Sequence, residues 1–157
     1  HMVVAETEGS FKAFDGTVEH TKADWSDAKI NFSVDVNSIN TDNENRDKHL
    51  KSDDFFNAEK FPAITFAGTS FTPKGGNKYE LAGNLTIRDV TKPVKFDVTF
   101  GGIAASTRGD KAGFKAKTTI NRFDYNLKWD RATVAGGLVV GKDVEVTVLL
   151  ELNKAKQ

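Results

Sequence analysis

The sequence predicts an all-β fold, a single antiparallel β-barrel of about eight strands with one short helix, and three observations predict it. Apolar residues alternate with polar ones along several runs, which is the period of a strand with one buried face. Clusters of Gly, Pro, Asn and Asp separate those runs, so consecutive strands are joined by turns too short for a parallel crossover. Phe occurs 12 times against two Trp and two Tyr, which favours a large aromatic interior with few polar groups to satisfy.

Taken in order, the first strand is read at Glu8–His20, anchored by Phe11 and Val18, with a bulge at Phe14-Asp15-Gly16. At Lys29–Asn37, Ile30, Phe32, Val34 and Val36 alternate with polar residues. Asn40–Ser52 is polar and shows no alternation. It predicts a helix over residues 42–51, capped by Thr41 or Asp42 with Glu44 as the capping-box acid, then a single turn near Asp53–Ala58. Looser alternation marks strands at Ala63–Thr72, Lys78–Arg88 and Ala112–Asn121. Stricter alternation marks Val94–Phe100 and the final run Val144, Val146, Val148, Leu150 and Leu152. Pro73-Lys74-Gly75-Gly76-Asn77 reads as a hairpin loop, residues 89–93 as a short connection, and Arg108-Gly109-Asp110 as a break. A second helical turn is expected at Arg122–Tyr125.

Composition removes several function classes. The 157 residues form one domain, 1–157, with no dividing linker or internal repeat. Lys+Arg and Asp+Glu balance at 22 each, so no basic surface for nucleic acid is expected. Without cysteine, thiolate nucleophiles, disulfides and Cys-ligated metals are excluded. No run approaches the roughly 18 apolar residues of a membrane-spanning helix, and no signal-peptide pattern is read. His1, His20 and His49 form no pair with metal-ligand spacing, and the acids of residues 40–54 lack the glycine of a calcium loop. No metal site is expected.

With one helix, the sheet buries its apolar face most simply by closing on itself. About eight strands enclose room for one small ligand. Gly68, Gly83 and Ala116 lie among bulky inward residues, where a ligand or another part of the protein can approach closely. Periodicity leaves two readings open, a hollow lumen and one packed solid with side chains.

Motifs along nearly the whole chain resemble the YceI-like family of lipocalin-like polyisoprenoid-binding proteins. They include residues 9–16 (GSFKAFDG), 38–50 (SINTDNENRDKHL), 52–56 (SDDFF), 59–62 (EKFP) and 83–94 (GNLTIRDVTKPV). They continue with 112–114 (AGF), 121–125 (NRFDY) and 140–144 (VGKDV). The resemblance implies a lipocalin-like eight-stranded barrel that carries or sequesters a polyisoprenoid or isoprenoid quinone in an elongated apolar cavity. It also implies a periplasmic or secreted location, and transport as the broad role. Members of that family carry a further strand before the Gly-Ser-Phe motif, so the barrel is expected to be one strand short here. His1-Met2-Val3-Val4 reads either as the end of that strand or as a scar ahead of a truncation. Exposed barrel edges invite a homodimer.

The expected ligand-lining residues are Phe32, Val34, Ile64, Phe66, Leu85, Ile87, Phe96, Val98, Phe114 and Ile120, framed by Phe55, Phe56 and Phe61. Each also suits packed core. Trp129 reads either as lining a mouth or as an exposed ring beside a Gly-rich loop. Arg46, His49 and Arg122 are the head-group candidates. No catalytic residue and no required cofactor is expected beyond a bound isoprenoid lipid or quinone. Two alternatives remain, an enzyme acting on such a lipid through Arg46, Asp47, His49 and Asp53, and a stress-related barrel with a filled core.

Overall fold

In the computed structural model, which describes residues 5–105, 107, 109–132 and 136–154, the alternating runs form one curled antiparallel sheet. Its seven strands are β2 (Phe14–Glu19), β3 (Lys29–Asp35), β5 (Ala63–Gly75), β6 (Lys78–Ile87), β7 (Val90–Ala104), β8 (Lys111–Asn121) and β9 (Asp143–Asn153), paired in that order. β1 (Ser10–Phe11) and β4 (Ile39–Asn40) form a separate two-stranded ladder. β2 and β9 stand at the two edges of the large sheet and do not pair with each other, so among the described residues the curl is a half-barrel of seven strands.

The register explains the core. In an antiparallel ladder, directly opposed residues point to the same face. Phe66 opposes both Phe32 and Leu85. Val98 opposes Ala116, which opposes Val148. Phe100 opposes Phe114, which opposes Leu150. These residues form one continuous apolar face on the inside of the curl, and most of the buried hydrophobic residues lie on it.

The helix α1 spans Glu44–Lys51. Its cap is Asn43, whose Oδ1 accepts from the Arg46 N–H at 2.9 Å, in place of the expected Thr41 or Asp42. Thr41 lies outside the helix because its N–H and hydroxyl both donate to Asp47 Oδ1, at 2.9 and 2.5 Å. Glu44 and Asp47 in the first turn, and Lys48, His49 and Lys51 in the last, favour the helix dipole. Arg122–Tyr125 forms the expected helical turn as a 3-10 helix.

Several boundaries differ from expectation. β3 ends at Asp35 because its carboxylate accepts from the Asn37 N–H and starts a 3-10 turn, Val36–Ser38. The first strand breaks at Lys12 and Ala13, while Phe14-Asp15-Gly16 pairs in regular register with Val34, Ser33 and Phe32, so no bulge lies there. Residues 90–93 continue as strand, and the turn before them is only Arg88-Asp89. Pro93 is tolerated in β7 because the β8 ladder begins only at Asp97, leaving one side of Pro93 unpaired. Pro73 sits in β5 for the same reason, beyond the last β3 partner at Ala67. Arg108 of the expected break, and His1–Val4, lie outside the described residues.

Candidate functional site

The concave face has a middle and two ends. In the middle, Phe32 stacks on Phe66 with centroids 4.8 Å apart, and the Phe96 ring meets Phe66 edge-on at 5.4 Å. Phe66 and Phe96 are fully buried. The small residues beside them serve this packing. A Cβ on Gly83 would lie 2.4 Å from the Phe66 ring and 2.5 Å from the Ala67 carbonyl. One on Gly68 would lie 2.5 Å from the Ile30 carbonyl. The close neighbours are therefore a side chain and the backbone of the protein itself.

One end is closed by the loop between β2 and β3. Asp27 accepts from the Thr21 N–H and hydroxyl and from the Lys22 N–H, at 3.0, 2.5 and 3.1 Å. These bonds, the Thr21 hydroxyl first, lower its pKa to about 2. The loop thus places Trp25 in a left-handed conformation, φ 61°, unusual for a bulky residue. Its indole is buried against Phe114 and Phe100, at 5.2 and 6.0 Å, with His20 stacked on it at 3.7 Å.

The other end lies beyond Ile87, Val90 and Ile120, about 30 Å away along the ten residues from Val90 to Phe100. Here Phe55 is buried against Trp129, at 5.3 Å, and the His49 ring meets both edge-on, at 5.1 and 4.8 Å. Trp129 is half-buried and packs on the core, with Arg131 over its ring at 5.8 Å. Phe56 packs on Phe11 at 5.8 Å, and Phe61 lies under the Arg88 guanidinium at 5.6 Å.

The three head-group candidates occupy this end in different ways. Arg46 is exposed and ties down the loop before α1, donating through Nε to the Thr41 hydroxyl at 2.8 Å and through Nη2 to the Thr41 carbonyl at 2.7 Å. His49 Nε2 lies 2.7 Å from Asp54 Oδ2, with both side chains partly in solvent. Arg122 is 4% exposed. Its guanidinium donates to the carbonyls of Gly141, Leu127, Trp129 and Val140, at 2.6–2.8 Å, and its face covers Phe123 at 4.4 Å. Burial holds its pKa below the ordinary arginine value, an effect the negative charge of Asp130 only partly counters. Four of the five guanidinium N–H groups are thereby committed to the main chain.

The ten expected lining residues all belong to this core or pack directly on it. The structure adds three groups that the sequence did not mark. Arg88, in the left-handed region at φ 55°, donates through Nη1 to the carbonyls of Asp53, Phe55 and Asn126 and through Nη2 to Asp53 Oδ1 at 3.0 Å. Tyr125 is 2% exposed. Trp25 carried one usable signal, a lone aromatic flanked by Asp24, Ser26 and Asp27 in a polar loop. Among the described residues no group of three or more His, Asp or Glu is placed to hold a metal. Among the described residues no helix is long and apolar enough to cross a membrane.

The family model of the YceI-like domain matches residues 1–152. A UPF0312 protein of Staphylococcus aureus (strain N315) is 37% identical over 155 residues, covering 98% of this chain and 88% of its own. One from Pectobacterium atrosepticum is 37% identical over 152 residues, covering 96% of this chain and 76% of its own. The crystal structure of a Campylobacter jejuni YceI protein superposes with a TM-score of 0.86 at 29% identity, covering 99% of this chain and 90% of that one. That of Burkholderia cenocepacia BcnA superposes with a TM-score of 0.78 at 24% identity, a likeness of fold. With a matching family model over nearly its whole length, and the curled antiparallel sheet of its structural neighbours, this chain belongs to the YceI-like family.

Proposed function

We propose that the protein binds a long apolar molecule of the polyisoprenoid class, a polyisoprenoid or isoprenoid quinone, on the concave face of its sheet, and carries or sequesters it without chemical change. The observation that carries this reading is the continuity of the apolar face across all seven strands, from Val18 on β2 to Leu152 on β9. Burying a prenyl chain there gains about 25 cal/mol per Å² of apolar surface, so several isoprene units bind tightly without directional contacts. The length of the apolar face then sets specificity more than the head group does. Binding is favoured over catalysis because two of the three head-group candidates, Arg122 and Arg46, are spent on main-chain carbonyls. The reading includes a periplasmic or secreted location, where such lipids need a carrier between membranes.

A barrel with a filled core is the second reading, and the stacked Phe32, Phe66 and Phe96 rings favour it. Organic extraction of purified protein followed by mass spectrometry separates the two, with a prenyl-chain binding assay beside it. A prenyl lipid in the extract, or affinity rising with chain length, supports the carrier. An empty extract together with no binding overturns it in favour of the filled core. Turnover of a prenyl lipid that is lost in His49→Ala would overturn the non-catalytic part.

A further inference from the structure

We propose that Tyr125 and Arg88 form a polar anchor at the helix end of the barrel, which receives a neutral carbonyl oxygen at the tip of an otherwise apolar ligand. The inference rests on the carrier reading above and adds to it the orientation of the ligand and the chemistry of its polar end.

Two side-chain polar atoms among the described residues are buried without a hydrogen-bond partner, and both are donors at this end: Tyr125 Oη and Arg88 Nε. The Tyr125 ring belongs to the buried core on the 3-10 turn after β8. Arg88 reaches the same turn, since its Nη1 donates to the carbonyl of Asn126, the next residue, at 3.3 Å. Burying a hydroxyl with no partner gives up its hydration with no return, whereas the apolar ring of the same shape has nothing to lose. Both tyrosines of this chain, Tyr79 and Tyr125, lie in that core, but only the Tyr125 hydroxyl is buried without a partner. Under the carrier reading, such a buried donor offers a place for a complementary group of the ligand.

The chemistry of the two atoms narrows that group. A guanidinium N–H only donates, and burial raises the Tyr125 pKa, so the phenol stays protonated and donates as well. The matching group is an acceptor oxygen. A neutral one is favoured because the positive charge of Arg88 is already paired with Asp53 at 3.0 Å, and Asp124 neighbours Tyr125 in the chain. A ketone, quinone, ester or amide carbonyl meets these conditions. The apolar tail then runs past Phe66 and Phe96 toward the Trp25 end.

Three probes test the anchor in the full chain: a prenyl ketone of 18 carbons (farnesylacetone), a prenyl hydrocarbon of matched length, and the matching prenyl carboxylate. Displacement of a fluorescent apolar dye gives each affinity. Wild type is expected to hold the ketone about fivefold more tightly than the hydrocarbon, the scale of one net hydrogen bond. Tyr125→Phe, which keeps the ring and leaves Arg88 Nε in place, is expected to cut that preference to about twofold and to unfold no earlier than wild type. The carbonyl stretch of the ketone bound to wild type, read by infrared spectroscopy, should lie at lower wavenumber than in hexane. That readout does not depend on how any variant folds. Equal wild-type affinity for ketone and hydrocarbon, an unshifted carbonyl, or a Tyr125→Phe protein that keeps the ketone preference undiminished would each overturn the anchor while leaving the carrier reading intact. Tighter binding of the carboxylate than of the ketone would overturn its neutrality. If wild type binds none of the probes, the carrier reading itself fails, and the anchor falls with it.

Discussion

Removing the Arg122 guanidinium strips four main-chain carbonyls of their donor at once. Those carbonyls belong to residues 127–129 and 140–141, so the loss also unties both segments from the end of β8. Arg122→Met is expected to lower stability by about 3 kcal/mol, since each buried acceptor left unpaired costs about 1–3 kcal/mol and solvent entering the gap recovers part of it. Arg122→Lys recovers less than half, because a single ammonium cannot span both segments. Urea unfolding midpoints check both, and a loss within about 0.5 kcal/mol for Met would show the carbonyls to be otherwise satisfied. Asp27 sets a second expectation at this scale. Its pKa is lowered from 3.8 to about 2 in the fold. A depressed carboxylate stabilises the folded form fully above its unfolded pKa and loses that contribution as pH falls through the folded value. The loop holding Trp25 should therefore loosen between about pH 4 and pH 2, seen as a shift of its indole emission in a Trp129→Phe background. In Asp27→Asn the emission should already be shifted at pH 7 and stay flat over that range; a titration unchanged in the variant would assign the transition to another group.

Among the elements, the strands were legible in the sequence and their ends were not. Alternation groups Phe32 with Val34 and Phe96 with Val98 on one face of each strand, but a one-residue slip inverts every side chain, so only the observed register brings them with Phe66 to the same inward face. Strand ends depend on neighbours that alternation does not encode. Pro73 and Pro93 read as breakers, yet each lies in a strand where one side has no partner. Helix capping was misread by one or two residues because Thr41 is drawn to Asp47. Arg88 and Tyr125 stayed invisible for a related reason. The partners of Arg88 lie 33–38 residues away in the chain, and an unpartnered hydroxyl has no sequence pattern at all. Glycine was read as room for a ligand or for another part of the protein, and the structure puts the protein there. Gly83→Ala must therefore move the Phe66 ring and the Ala67 carbonyl, at a cost of about 1–3 kcal/mol. Gly113→Ala on β8 meets nothing within 4 Å, and should be neutral or stabilising by a few tenths of a kcal/mol, since Ala loses less backbone freedom. Denaturant midpoints of the two variants test the contrast, and equal effects would remove the packing role of Gly83.

At the scale of the whole molecule, the open edges raise the question of association. β9 is 11 residues long, pairs regularly with β8, and contains no proline or bulge on its free side. Natural edges are usually blunted by such devices. Its inward residues Val146, Val148, Leu150 and Leu152 are only half-buried, and Leu149 on the outer face is 67% exposed. A second copy offers a matching strand. In an antiparallel β9–β9 pairing centred on Thr147, Val146 faces Val148 and Val144 faces Leu150, so every inward residue stays on the concave side. The same register sets Asp143 opposite Glu151, a like-charge contact that salt screens. The expected result is a dimer in light scattering at high protein concentration, tightening as salt rises. Leu149→Glu should return the protein to monomer while leaving its unfolding midpoint within about 0.5 kcal/mol, since this register sets residue 149 opposite Glu145, and a like-charge pair directly across the strands disfavours pairing without touching the core. A wild-type protein that stays monomeric at every concentration and salt would show that the half-barrel tolerates its open edge alone.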